Sequence, residues 1–232
     1  MYKVFIPAYN EEKAIAKNVR AVYSFLEKIF RKDFRLYLVN DGSTDMTGQI
    51  ADNIKLKNFI HLRMKGPTRR ENLAQAMVKY TAPGDIAVMA DADRSTGEEA
   101  FYKAITALNQ GYDIVIGSRY VKGSRIRRKA GRRIISLFFN LFMRFYFGSR
   151  IKDHECGFKF FRHEVLKDLV HEMGWSLERR MFWDTEMLIR AQKKKYRIKE
   201  VPVYWVEGPK SALSFWRERS MIPYIFKLRF RL

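Results

Sequence analysis

The N-terminal half of the chain alternates two periodicities. Short apolar runs at Tyr2 to Ile6, Arg35 to Asn40, Phe59 to Met64, Asp85 to Ala90 and Asp113 to Gly117 have the length and side-chain types of strands. Between them lie helical patterns such as Glu11 to Phe30, with Ala14, Ile15, Val19, Val22, Phe25, Leu26 and Ile29 at helical spacing. Strand alternating with helix predicts an α/β fold with a mainly parallel, Rossmann-like sheet and helices on both faces, and runs this apolar fit strands buried on both sides. Ligands of such sheets bind beyond the carboxyl ends of the strands. Those ends carry Pro7, Tyr9 and Glu11 after the first strand, Asp41 after the second, Asp91 and Asp93 after the fourth, and Ser118 and Arg119 after the fifth. Any one of these loops has ordinary turn chemistry. Four converging on one crevice make a candidate site.

Beyond Gly117 the pattern changes: from Ile114 to Lys152 there are eleven Lys or Arg and no Asp or Glu, interleaved with Phe and Leu. A helix over Arg132 to Phe147 places Arg132, Ser136, Asn140 and Arg144 on one polar stripe. Leu137, Phe138, Phe139, Leu141, Phe142, Met143, Phe145, Tyr146 and Phe147 cover the rest. The apolar run falls short of the ~20 residues of a spanning helix and contains Arg144. A helix lying along a membrane surface beside the crevice suits it, each basic residue near an anionic leaflet contributing roughly 1 kcal/mol. Burial in the protein core is the competing reading. Further on come a short run at Gly157 to Phe161, a helical pattern near Phe182 to Gln192 and a β-like Arg197 to Val206. The ending, "SFWRERSMIPYIFKLRFRL", is again basic and apolar, with Pro223 expected to break or kink a helix. The expected organisation is a catalytic domain over 1–206, including the basic amphipathic segment 119–150, followed by a basic membrane-surface tail over 207–232.

Composition narrows the partners. A chain of 232 residues can bury one sizeable core without disulfides. Its 45 Lys and Arg against 25 Asp and Glu give a net charge of +20, which points to nucleic acid, an anionic membrane or phosphorylated substrates. No nucleic-acid motif is recognisable, and Phe beside Leu and Met suits lipid better than base stacking, so nucleic acid is not expected as a partner. Cys156, the single cysteine, excludes an internal disulfide and favours a reducing compartment. With His154 it lacks further Cys or His at zinc spacing. The N-terminus "MYKVFIPAYNEE" lacks the pattern of a signal peptide.

The chemistry begins at "MADADRS", Met89 to Ser95, where Asp91 and Asp93 offer hard oxygen ligands suited to Mg²⁺ or Mn²⁺. Such an ion can neutralise a diphosphate leaving group. With it, in order, stand "IPAYNEE" from Ile6, "VNDGSTD" from Val39, "GSRYVKGS" from Gly117, "RRIIS" from Arg132, "DHECGFKFF" from Asp153, "FWDTEML" from Phe182 and "IKEVPVYW" from Ile198. The set resembles the inverting family-two glycosyltransferases of GT-A fold. Within them it is similar to the dolichyl-phosphate mannose synthase and dolichyl-phosphate glucose synthase group.

The resemblance implies transfer of mannose or glucose from GDP-mannose or UDP-glucose to dolichyl or polyprenyl phosphate. The chain's own basic and apolar segments predict a peripheral enzyme at the cytoplasmic face of an anionic membrane, with a membrane protein as a possible partner. Pro7, Tyr9, Glu11 and Asp41 would bind the nucleotide, Asp41 reading the base; Asp91 and Asp93 would hold the metal and diphosphate, and Ser95 would add a donor contact. Arg119, Arg132, Arg133 and Ser136 would hold the lipid phosphate, and Asp184 and Glu186 would line the sugar side. This accords with the chemistry. A phosphate with a second pKa of about 6 is already an anionic nucleophile and needs little from a general base. It does need positioning and positive charge, which guanidinium supplies bidentately.

Three departures bear on the donor. The segment "KGPTRRENLAQAMVKY" lacks the family's glycines and carries Arg69 and Arg70, which predicts altered diphosphate contacts. Asn40 stands where the family has an acid, and Arg94 and Gly97 follow the D-x-D. "DHECGFKFF" and the ending with Trp205, Glu207, Gly208, Phe215 and Trp216 lean to the glucose branch. A sugar nucleotidyltransferase on a similar sheet is the alternative enzyme, but it would carry a Gly-rich basic loop where this chain has "PAYNEE".

Overall fold

Seven strands, seen in a computed structural model that describes residues 1–91, 96–206 and 221–232, form the central sheet. They are β1 (Tyr2–Ala8), β2 (Phe34–Asn40), β3 (Phe59–Arg63), β4 (Ile86–Met89), β5 (Ile114–Ser118), β7 (Lys159–Arg162) and β8 (Ile198–Pro202). Their order is β3-β2-β1-β4-β7-β5-β8. All pairings are parallel except those of β7, which runs antiparallel between β4 and β5. A two-stranded parallel ribbon joins β6 (Arg125–Arg127) to β9 (Tyr204–Val206).

The helices are α1 (Ile15–Phe30), α2 (Thr47–Asp52), α3 (Glu71–Lys79), α4 (Glu98–Asn109), α5 (Ala130–Phe147), α6 (His163–Met173), α7 (Trp183–Lys193) and α8 (Ile222–Arg229). One face of the sheet packs Val4, Ile6, Leu36, Leu38 and Val88 against α1 and α4, through Val19, Leu26, Phe101 and Ala104. The other packs Phe5, Tyr37, Val39, Met89 and Ile116 against α3, α6 and α7, through Leu73, Met77, Leu166, Trp183 and Leu188. Alternate strand residues thus enter opposite cores, which is why the runs read as continuously apolar. The α/β architecture with helices on both faces is as expected.

Three local expectations shift. α1 starts at Ile15 rather than Glu11, because the Glu11 carbonyl accepts from the amides of Ala14 and Ile15 in a preceding turn. The β-like Arg197 to Val206 run divides, β8 joining the main sheet and β9 the ribbon. Pro223 does not break the last helix. It sits in the first turn of α8, where a missing amide costs nothing.

α5 and α8 meet on the outside of the domain. Met143 and Phe147 of α5 share a buried cluster with Phe182, Ile189 and, from α8, Tyr224, Ile225 and Leu228. The C-terminal helix α8 is therefore packed against α5 and the start of α7. Glu207, Gly208, Phe215 and Trp216 of the ending lie outside the described residues. No helix among the described residues is long and apolar enough to cross a membrane.

Candidate active site

The loops after β1 and β2 are laced together at the crevice. The Asn10 amide donates to Ser43 Oγ at 3.0 Å, Asn10 Oδ1 accepts from the Thr44 amide at 2.9 Å, and the Glu11 amide donates to Thr47 Oγ1 at 2.7 Å. Pro7 and Glu11 are half-buried and Tyr9 is exposed at this rim. Asp41 is buried, and its carboxylate oxygens accept from the Thr68 amide at 3.0 Å, the Arg69 amide at 2.8 Å and Asn72 Nδ2 at 2.5 Å. Expected to read a base, its oxygens are occupied by donors of the loop before α3. Beneath it the backbone at Gly42, with φ of 71°, lies so close that an added Cβ would sit 2.7 Å from the Gly66 nitrogen.

Asp91 follows β4 and rests on Gly157. A Cβ placed there would come within 2.2 Å of Asp91 Oδ2. Its expected co-ligand Asp93, with Arg94 and Ser95, lies outside the described residues. Arg70, the departure noted in the sequence, enters this site: its Nε donates to Asp184 Oδ2 at 3.1 Å. Burial alone would lower the Arg70 pKa, but Asp184 and then Asp91 raise it, so the guanidinium stays charged beside both acids.

Asp184, at the start of α7, is buried between two cations. Lys159 Nζ, wholly buried, donates to its Oδ1 at 2.8 Å, opposite Arg70. Burial would raise the carboxyl, and Lys159 and Arg70 more than reverse this and hold it below its usual value. Glu186, although paired with Asp184 in the expected sugar-side role, contacts neither cation. Its oxygens lie 2.8 Å from Arg179 Nε and 2.8 Å from Arg190 Nε, and one accepts from Tyr224 of α8 at 2.7 Å. Two residues apart on a helix, the acids point different ways, Asp184 into the crevice and Glu186 into the joint with α8. Arg179 also bridges to Glu71 at 2.8 Å, whose carboxyl burial pushes up to about 7 against the opposing pull of Arg179.

Arg119, after β5, is buried and held bidentately by Asp153: Nε to Oδ2 and Nη2 to Oδ1, both at 2.7 Å. The expected phosphate ligand is thus presented on a carboxylate, under the faces of Tyr120 and Trp205 at 5.7 and 5.6 Å. Arg132 is half-buried and Arg133 exposed at the start of α5. Ser136 and Asn140 of the predicted polar stripe face the protein, while Arg144 is exposed. Asn140 Oδ1 accepts from the His154 amide at 2.9 Å, tying α5 to the strip before β7. Ser136 Oγ is buried and has no hydrogen-bond partner among the described residues.

That strip, Asp153 to Lys159, has a period of two. Cys156 and Phe158 enter the core on the α1 and α4 side, whereas Asp153 meets Arg119, Gly157 meets Asp91 and Lys159 meets Asp184. Glu155 shares that second parity and is half-buried. Burial pushes its carboxyl up to about 7, against the opposing pull of Arg119. The motif "DHECGFKFF" was recognised, yet its individual carriers, Asp153, Glu155, Gly157 and Lys159, were not singled out. Their alternation was the available signal.

The profile described as Glycosyl transferase family 2 matches residues 3–170. The chain belongs to that family. Among similar proteins are Glycosyltransferase AglD of Haloferax volcanii, 32% identical over 87% of this chain, and the polyprenol monophosphomannose synthase of Mycolicibacterium smegmatis, 30% identical over 88% of it. The Saccharomyces cerevisiae dolichyl-phosphate beta-glucosyltransferase is 30% identical over 91%. The match spans 32%, 77% and 69% of those three relatives respectively. Among solved folds, glucosyl-3-phosphoglycerate synthase from Mycobacterium tuberculosis superposes with a TM-score of 0.65, covering 98% of this chain and 79% of that one at 16% identity. The Pyrobaculum calidifontis mannosyltransferase PcManGT gives 0.59, over 97% and 64%, at 18% identity. At these identities the likeness is one of fold.

Proposed function

We propose that the chain transfers a hexosyl group, glucose or mannose, from a nucleotide sugar to dolichyl or another polyprenyl phosphate, with inversion at the anomeric carbon. The observation that carries the lipid acceptor is the two-sidedness of α5. Its polar members Ser136 and Asn140 turn to the protein, while Ile135, Phe138, Leu141 and Phe145 are exposed at 65, 67, 59 and 89%. Phe226 of α8 and Phe230 just beyond it are exposed as well, and Phe226 packs edge-on against Tyr146 of α5. Two helices thus offer one apolar surface among basic residues, which fits peripheral binding to an anionic bilayer. The cytoplasmic face is part of this reading, and a membrane partner protein is compatible with it. The relatives named for dolichyl-phosphate glucosyl transfer and polyprenol monophosphomannose synthesis support the same acceptor class.

Asp91, cradled by Gly157, and Asp93 would hold a divalent ion, Mg²⁺ or Mn²⁺, through hard oxygen donors. Such an ion neutralises the leaving diphosphate when bound. PcManGT was solved with GDP-Man and Mn²⁺, and the mycobacterial synthase with UDP and Mn²⁺. Arg70 is placed to add positive charge beside Asp91, as an expected diphosphate contact that replaces the missing glycines. Arg119, fixed by Asp153, and Arg132 with Ser136 would orient the lipid phosphate for in-line attack.

The central test is a donor panel, UDP-glucose and GDP-mannose foremost, with a short polyprenyl phosphate and thin-layer detection of the glycolipid. Radiolabel transfer from one donor to lipid is the expected result, and its absence from every donor would overturn the reading. Arg132→Ala should raise KM for the lipid phosphate about tenfold and leave donor KM unchanged, as loss of one charge-assisted contact implies. A change confined to donor KM would refute the acceptor assignment.

The membrane surface is tested separately. Phe138→Asp combined with Phe145→Asp should abolish flotation with anionic vesicles. Because both side chains are exposed, the urea midpoint should correspond to a stability change of only about 0.5 kcal/mol. Unchanged flotation would remove α5 from the membrane contact.

A further inference from the structure

Within the crevice the carboxylates differ sharply in how their oxygens are engaged. Asp41 accepts from Thr68, Arg69 and Asn72, Asp153 from Nε and Nη2 of Arg119, and Asp184 from Lys159 and Arg70. Each of these carboxylates is held in place by a buried cation or by backbone amides. Glu155 is built differently. Its backbone amide donates to Asp153 Oδ1 at 3.3 Å, which fixes the residue against the Arg119 clamp. No donor among the described residues bonds to its carboxylate.

Its position is set by the alternation of the strip. The neighbours of like parity, Asp153, Gly157 and Lys159, touch Arg119, Asp91 and Asp184, so Glu155 stands between the expected acceptor side and the expected donor side. The charges that act on its carboxylate come from Asp153 on its own strip and from Arg119, Asp184 and Arg128 on three other segments. The hexose of a bound nucleotide sugar must lie in this interval, since its anomeric carbon connects diphosphate to attacking phosphate. Hexoses differ in the orientation of their hydroxyls, and a carboxylate with unengaged oxygens is a strong acceptor for one of them.

We propose that Glu155 is the residue that accepts a hydrogen bond from a hydroxyl of the transferred hexose, and so contributes to the choice of sugar. The proposal rests on the nucleotide-sugar reading above and deepens it. It assigns no proton transfer to Glu155. The acceptor phosphate is already ionised, and the role is recognition. A hydroxyl turned the other way at the reading position would leave the carboxylate unmatched, and buried polar groups left unmatched are what make such a site selective.

The experiment compares the intact chain with its Glu155→Gln and Glu155→Ala variants by titration calorimetry with Mn²⁺, measuring affinity for UDP-glucose against UDP and for GDP-mannose against GDP. The ratio of the two affinities isolates what the sugar adds. For the preferred pair the ratio should fall roughly tenfold to a hundredfold in Glu155→Ala, as for a hydrogen bond to a charged group, and less in the isosteric Glu155→Gln. Affinity for the free nucleoside diphosphate should stay within about twofold, which also reports an intact fold. An unchanged ratio in both variants overturns the proposal, and so does an equal loss of nucleoside diphosphate affinity. The donor panel on the wild-type chain reports on the other reading. Lack of transfer to polyprenyl phosphate with a sugar-dependent ratio that falls in Glu155→Ala would sink the acceptor assignment and leave Glu155 as the sugar contact.

Discussion

Gly157→Ala is expected to lower turnover by about a hundredfold or more while the protein still folds. The added methyl would come within 2.2 Å of Oδ2 and 2.4 Å of Oδ1 of Asp91, distances no carbon can hold. The obstructing atoms are the far end of a side chain, so relief comes from rotating Asp91 away and not from moving the sheet. The cost therefore falls on the carboxylate's placement. A displacement of about 1 Å at a reacting constellation is enough for a hundredfold loss. Turnover at saturating donor and lipid, with Mn²⁺ titrated, checks this. The metal concentration for half-maximal rate should rise, and the urea transition should remain cooperative. Near-normal turnover in Gly157→Ala would show that the position of Asp91 is immaterial to the reaction.

The second large effect is on stability. Lys159→Met is expected to destabilise the fold by about 3–5 kcal/mol at neutral pH, because it leaves Asp184 buried with Arg70 as its remaining cationic partner. Urea unfolding of both proteins measures it. The pH dependence gives a further check. Burial opposes ionisation of Asp184, and Lys159 and then Arg70 hold its folded pKa below the ordinary value. For such a depressed carboxyl the stabilisation is present above the unfolded pKa near 3.8 and is lost as pH falls through the folded value. Without Lys159 the folded pKa rises, so protonation on acidification costs the variant less. The stability gap between the two proteins should narrow towards pH 4. A gap that widens on acidification would show that Lys159 does not support the charged form of Asp184.

Both predictions rest on residues inside "DHECGFKFF", a stretch whose family resemblance was legible while its division of labour was not. The sequence shows charged and apolar residues mixed there. It does not show that β7 enters antiparallel between β4 and β5, and that insertion gives each parity of the strip a different destination. Cys156 and Phe158 go into a core, and Asp153, Gly157 and Lys159 go to three residues that arrive from β5, β4 and α7. Short strands of four residues carry too few positions for a period to announce itself.

The acids of "FWDTEML" teach the same lesson differently. Asp184 and Glu186 look like a pair in sequence, but two residues on a helix point about 200° apart. One serves the crevice and the other anchors α8 through Tyr224. The C-terminal helix α8 is thereby joined to the helix that carries Asp184.

By itself the sequence determined the alternating α/β architecture, the crevice at the carboxyl ends of the strands, and the amphipathic character of α5. These follow from local periodicity, which is written residue by residue along the chain. Only the tertiary structure decided which carboxylates are already engaged by cations, that Arg70 and Asp91 act on each other's charge, and that Ser136 and Asn140 of α5 face inward. Those depend on partners between 14 and 114 positions away in the chain, brought together by the sheet order, and no local periodicity encodes such contacts.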